Sequence, residues 1–137
     1  MIKMLLLLLL AASGLEDAKI SSEKLAERMK TGQPLVIHTG FNVLYRSAHI
    51  ANTVYAGPGS KPEGLDELKK LVANEPKDRE IVIYCGCCPW EKCPNIRPAF
   101  AALHEMGFTH VSALYVPETL AKDWIDKGLP TEKRAAQ

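Results

Sequence analysis

The sequence has no excess of either charge: 17 lysines and arginines stand against 16 aspartates and glutamates in 137 residues, for a net charge of +1. Without a basic stripe to follow a phosphate backbone, nucleic acid is not an expected partner. There is also no apolar run long enough to cross a bilayer. Met4 to Ala12 falls far short of the ~20 residues a spanning helix needs, so no stable membrane span is expected. Internal repeats and low-complexity tracts are missing as well. A composition of 47% hydrophobic and 24% charged residues is that of one ordinary globular domain. Nor are the cysteines spread out as a disulfide framework for a small secreted scaffold requires. Cys85, Cys87, Cys88 and Cys93 crowd one short stretch, which makes them a local reactive or metal-binding site.

The first fourteen residues have the layout of a secretory leader. Lys3 precedes the apolar run, and Ala11-Ala12-Ser13-Gly14 offers small residues for cleavage, with no cysteine beside them to accept a lipid. The expected division is a signal peptide over 1–14 and a domain over 15–137, exported to the periplasm or secreted.

The domain alternates strands with helices. Ser21 or Ser22 can cap a helix carrying Leu25, Ala26 and Met29, which Thr31-Gly32 ends. Leu35-Val36-Ile37 is an unbroken apolar run of the kind buried on both faces of a parallel sheet, and it leads into His38-Thr39-Gly40. A helical turn at Phe41 to Tyr45 and a short strand at Thr53-Val54-Tyr55 follow. Pro62 suits the first turn of a helix whose Leu65, Leu68, Leu71 and Val72 keep helical spacing. Ile81-Val82-Ile83-Tyr84 is strongly strand-like and runs into Cys85. Asn95 can cap a helix with Ala99, Phe100, Leu103 and Met106 inward, stopped by Gly107. A strand at 110–114 and a last helix, opened by Pro117-Glu118 with Leu120 and Trp124 inward, complete the chain. The order predicts an α/β domain with a small parallel sheet and helices on both faces.

In such sheets ligands gather beyond the carboxyl ends of the strands, where His38 and Cys85 are both expected. A cysteine between a buried strand and a helix start faces backbone N–H groups and the positive end of the helix dipole, which favour a thiolate and would hold a bound anion. That setting makes Cys85 the expected nucleophile and the most acidic of the four thiols. The bland alternative is a small buried hydrophobe. Cys87, Cys88 and Cys93 are candidate resolving thiols, able to accept sulfur from Cys85, pair with it, or join it around a metal. Their spacing matches no common zinc pattern of paired Cys-x2-Cys knuckles, and no metal or cofactor is assigned to them. His38 either tunes the thiolate and carries a proton or hydrogen-bonds a loop carbonyl. Arg97 either reaches the loop or points to solvent. Trp90, between Pro89 and Glu91, is expected to be exposed at the loop tip.

From Ile20-Ser21 to Pro130 the chain resembles the rhodanese-like domains. Ile20-Ser21-Ser22-Glu23-Lys24-Leu25 is similar to that family's opening segment, Tyr45 with His49-Ile50 to its tyrosine followed by Gly-His-Ile, and Ile81 through Cys85 to the strand that delivers its nucleophile. Ala101-Ala102-Leu103 through Gly107-Phe108, and Trp124 followed by Gly128-Leu129-Pro130, resemble its later helices. The resemblance implies sulfur transfer through a persulfide on Cys85, with a small sulfur donor, a thiol acceptor or a partner protein, and a structural role for His49. A thiol–disulfide protein and a metal-binding module are the alternatives. Two departures stand out. His38-Thr39-Gly40 replaces the family's Asp-Val-Arg, and the loop from Cys85 to Asn95 is longer than the family's, with its first arginine at Arg97. They imply weak turnover of thiosulfate and cyanide, with sulfur passed among the chain's own cysteines.

Overall fold

A computed structural model describes residues 14–86 and 88–133. Cys87 and all but the last residue of the expected leader lie outside the described residues. The elements run β1 (Lys19–Ile20), α1 (Ser22–Thr31), β2 (Leu35–His38), α2 (Asn42–Ser47), β3 (Ala48–Ile50), β4 (Thr53–Tyr55), α3 (Pro62–Val72) and β5 (Ile81–Tyr84). After a 3-10 turn at Trp90–Lys92 come α4 (Ile96–Glu105), β6 (Val111–Leu114), a wide helical turn at Ala121–Ile125, and β7 (Thr131–Lys133).

Five strands form one parallel sheet in the order β1-β6-β5-β2-β4, as the alternation of elements predicts. The remaining two, β3 and β7, pair antiparallel beside it. Because side chains alternate across a strand, the central strand serves both faces. Ile81 and Ile83 join Leu68 and Val72 of α3 and Ala99, Phe100 and Leu103 of α4 in one core. Val82 and Tyr84 join Leu25 and Ala26 of α1 and Leu120 and Trp124 in the other. Helices therefore cover both faces. Trp124 is wholly buried and its indole N–H donates to the Pro130 carbonyl at 2.9 Å, so truncating it should cost about 3–5 kcal/mol.

Local chemistry sets most helix ends where expected. Ser21 Oγ accepts the Lys24 N–H at 3.1 Å, and Gly107, at φ 93, ends the last turn of α4. Two expectations need correction. Leu71 is exposed, because the inward line of α3 is Gly64, Leu68 and Val72 at intervals of one helical turn. The final helix is reduced to one wide turn starting after Leu120, with Thr119 Oγ1 accepting the Lys122 N–H and Asp123 Oδ2 accepting the Glu118 N–H. Thr119, not Pro117-Glu118, opens it. None of the described helices is long and apolar enough to cross a membrane.

Candidate active site

The carboxyl ends of β2 and β5 lie side by side, His38 pairing in register with Tyr84. Cys85 is the next residue, on the same face as Ile81 and Ile83, and is 3% exposed. The loop beyond it folds back. Trp90 is not at an exposed tip as expected but 3% exposed, its ring edge-on to Tyr115 at 5.9 Å and under the Lys19 ammonium at 4.9 Å, while its backbone N–H donates to the Val116 carbonyl at 2.8 Å. With the tip pinned there, the second half of the loop returns to Cys85. The sulfurs of Cys85, Cys88 and Cys93 all lie within 4.8 Å of one another.

Asn95 bridges this cluster to the rest of the fold. It precedes α4 but makes no side-chain cap hydrogen bond. Its Nδ2 donates instead to Cys85 Sγ at 3.3 Å, and its Oδ1 accepts the Ser60 N–H at 3.0 Å. The segment that supplies Ser60 packs tightly: a Cβ on Gly59 would stand 2.4 Å from the Asn95 carbonyl oxygen, a space only glycine leaves.

Cys93 is an acid-shifted thiol. A hydrogen bond from the Cys85 thiol is the largest cause, burial opposes it, and the backbone N–H groups of Asn95 and Ile96 add to it, holding Cys93 well below its ordinary value, at about 6. The sequence singles out Cys85 and does not anticipate that Cys93 is acidified. The longer loop brings Cys93 to the helix start, where the N–H groups converge.

His38, paired in register with Tyr84, is fully buried among Tyr45, Tyr55 and Tyr84. Its Nδ1 accepts the Gly40 N–H at 3.1 Å, so the neutral ring carries its proton on Nε2. Burial, and then the charge of His49, depress its pKa to about 4. Nε2 has no hydrogen-bond partner among the described residues, and a Cβ on Gly86 would stand 2.9 Å from it. His38 thus presents a neutral donor toward the residue that follows Cys85.

The sequence profile of the Rhodanese-like domain matches residues 21–115. The chain belongs to the rhodanese-like family. Solved structures agree in fold. The rhodanese-like domain of an Anabaena protein superposes with a TM-score of 0.62 at 22% identity, over 85% of this chain and 79% of that one. A Bacillus halodurans protein superposes with 0.65 at 19% identity, over 85% and 77%. A thiosulfate sulfurtransferase from Pseudomonas aeruginosa gives 0.63 at 12% identity, over 87% of this chain and 21% of its own length. No curated protein matches the chain.

Of the candidate site residues of this rhodanese-like domain, Cys85, Cys88 and Cys93 are brought together, and His38 meets Cys85 at Gly40, where an added Cβ would stand 2.9 Å from the His38 ring and 3.2 Å from Cys85 Sγ. Arg97 is exposed on the first turn of α4. His49 is held on β3 by the Tyr45 carbonyl at 2.7 Å and Glu132 Oε2 at 3.0 Å, a structural setting. Sequence reasoning missed the bridging role of Asn95, whose short polar side chain reads as a helix cap.

Proposed function

We propose that this rhodanese-like domain carries sulfane sulfur on its clustered cysteines and passes it to a thiol acceptor. One observation carries the reading: Cys85 ends a central strand of the parallel sheet with the sulfurs of Cys88 and Cys93 within 4.8 Å. In the first half-reaction the Cys85 thiolate attacks the outer sulfur of a thiosulfate-like donor. The donor's sulfur–sulfur bond breaks, its electron pair leaves with sulfite, and Cys85 holds a persulfide. The Cys93 thiolate then attacks the outer sulfur, freeing the Cys85 thiolate, and an external thiol takes the sulfur from Cys93. Close placement gives an internal acceptor an effective concentration that a free one cannot match. The Asn95 amide donates to Cys85 Sγ and the His38 Nε2–H faces Gly86, and both would favour the anionic persulfide.

Peptide-mapped mass spectrometry after thiosulfate treatment tests this. One added sulfur on Cys85 or Cys93 is the expected result. A Cys85–Cys93 disulfide with released hydrosulfide, and no retained sulfur, would favour a thiol–disulfide protein instead.

A further inference from the structure

We propose that Cys85, Cys88 and Cys93 form a three-coordinate thiolate site for a soft monovalent cation, Cu(I).

The geometry is close to what such an ion needs. A trigonal ion with metal–sulfur bonds near ~2.3 Å sets its sulfurs about 4 Å apart, and these three already lie within 4.8 Å. Modest side-chain rotation closes the difference. The donor set also selects the ion. Among the described residues no histidine, aspartate or glutamate joins the group, so it offers a hard cation such as Mg²⁺ or Ca²⁺ none of the carboxylate oxygens that hold it. Structural zinc is almost always tetrahedral, whereas the described trio supplies three ligands. Thiolates in a nearly dry site favour Cu(I).

The surroundings fit that charge. Cys85 and Cys93 sit in the apolar core with Trp90 and Ile96, and Cys88 packs against it. Three thiolates around a monovalent ion remain anionic. The Asn95 amide on Cys85 and the backbone N–H groups of Asn95 and Ile96 on Cys93 offset that charge without a cationic side chain. On binding, protons still held by the thiols pass to solvent and no electron moves. The same sulfurs would carry a persulfide, so copper and sulfur exclude each other. The metal site nevertheless does not depend on sulfur transfer being correct.

The test titrates the reduced, metal-free chain against the Cu(I)–bicinchoninate complex without oxygen. The expected result is one Cu(I) withdrawn per chain, three sulfur neighbours by X-ray absorption, a more than about tenfold weaker affinity in Cys88→Ser, and undiminished stoichiometry in Cys87→Ser. Far-UV circular dichroism checks that the variants fold. If Cys88→Ser does not, the sulfur count in the wild type decides. Failure to withdraw copper, a shell of two sulfurs, Zn²⁺ displacing Cu(I), or Cys87→Ser weakening binding as much as Cys88→Ser would each overturn the site. Sulfur loading is measured separately on metal-free protein. Loading without copper binding defeats this inference alone, and copper binding without loading defeats only the sulfur-transfer reading.

Discussion

Asn95 Nδ2 donates to Cys85 Sγ at 3.3 Å, so the residue that precedes α4 holds the sulfur that follows β5. Its other end, Oδ1, is fixed by the Ser60 N–H. A positioning role follows, and Asn95→Asp probes it with little change of shape. The carboxylate keeps the Ser60 bond but replaces an amide donor with a negative charge beside the thiol. Alkylation of Cys85 should need a higher pH than in the wild type, because a like charge disfavours the thiolate. Asn95→Ala should instead cost about 1–3 kcal/mol in urea unfolding, since the Ser60 N–H loses its acceptor. An unchanged Cys85 pH profile in Asn95→Asp would remove the positioning role.

His38 should make the fold sensitive to mild acid. Burial depresses its pKa from 6.5 to about 4, so the unfolded chain binds more protons than the folded one between those values. Its contribution is complete above about pH 6.5 and is lost as pH falls toward 4. The upper bound is on the order of 3 kcal/mol, at about 1.4 kcal/mol for each tenfold change in the ring's proton affinity. Urea midpoints at pH 7 and pH 5 should separate more in the wild type than in His38→Gln. Equal separations would mean that other groups carry the acid transition.

Much of this architecture is legible in the sequence because period and burial agree. Ile81 to Tyr84 are apolar throughout and buried throughout, and the order of strands and helices implies a parallel sheet with Cys85 at its carboxyl edge. The loop is less legible because its partners are remote in sequence. Pro89 and Glu91 make Trp90 look exposed, while Lys19, Tyr115 and Val116 bury it. Asn95 has the right chemistry for a cap, and only the positions of Ser60 and Cys85 divert it. A signal for Cys93 is present: it lies two residues before Asn95, nearest of the four cysteines to the helix start.

Trp90 should hold the returning half of the loop. Trp90→Ala removes a side chain 3% exposed and should cost about 3–5 kcal/mol of stability. The thiols should also separate, which a short dithiol crosslinker or arsenical of fixed span would report. Tight dithiol capture persisting in a destabilised Trp90→Ala would show that the loop closes without its anchor.

The order of events among the cysteines is the most demanding prediction. Cys93 is held at about 6 by the Cys85 thiol and by the N–H groups at the start of α4, so it is largely thiolate near neutrality. Its contribution to stability is complete above its ordinary value of 9.0 and is lost as pH falls through about 6, a slope that Cys93→Ser should flatten. The Cys85 thiol donates its proton in a hydrogen bond to the Cys93 sulfur. Loading of Cys85 must therefore pass that proton to Cys93 or to solvent before its sulfur attacks the donor. A division of labour follows that single substitutions can read. Cys85→Ser should abolish sulfur loading from thiosulfate, whereas Cys93→Ser should leave Cys85 able to load but slow its discharge to an added thiol, because the internal acceptor is gone. Single-turnover mass spectrometry resolves the two half-reactions. Sulfur accumulating on Cys93 in Cys85→Ser would reverse the order and make Cys93 the first nucleophile.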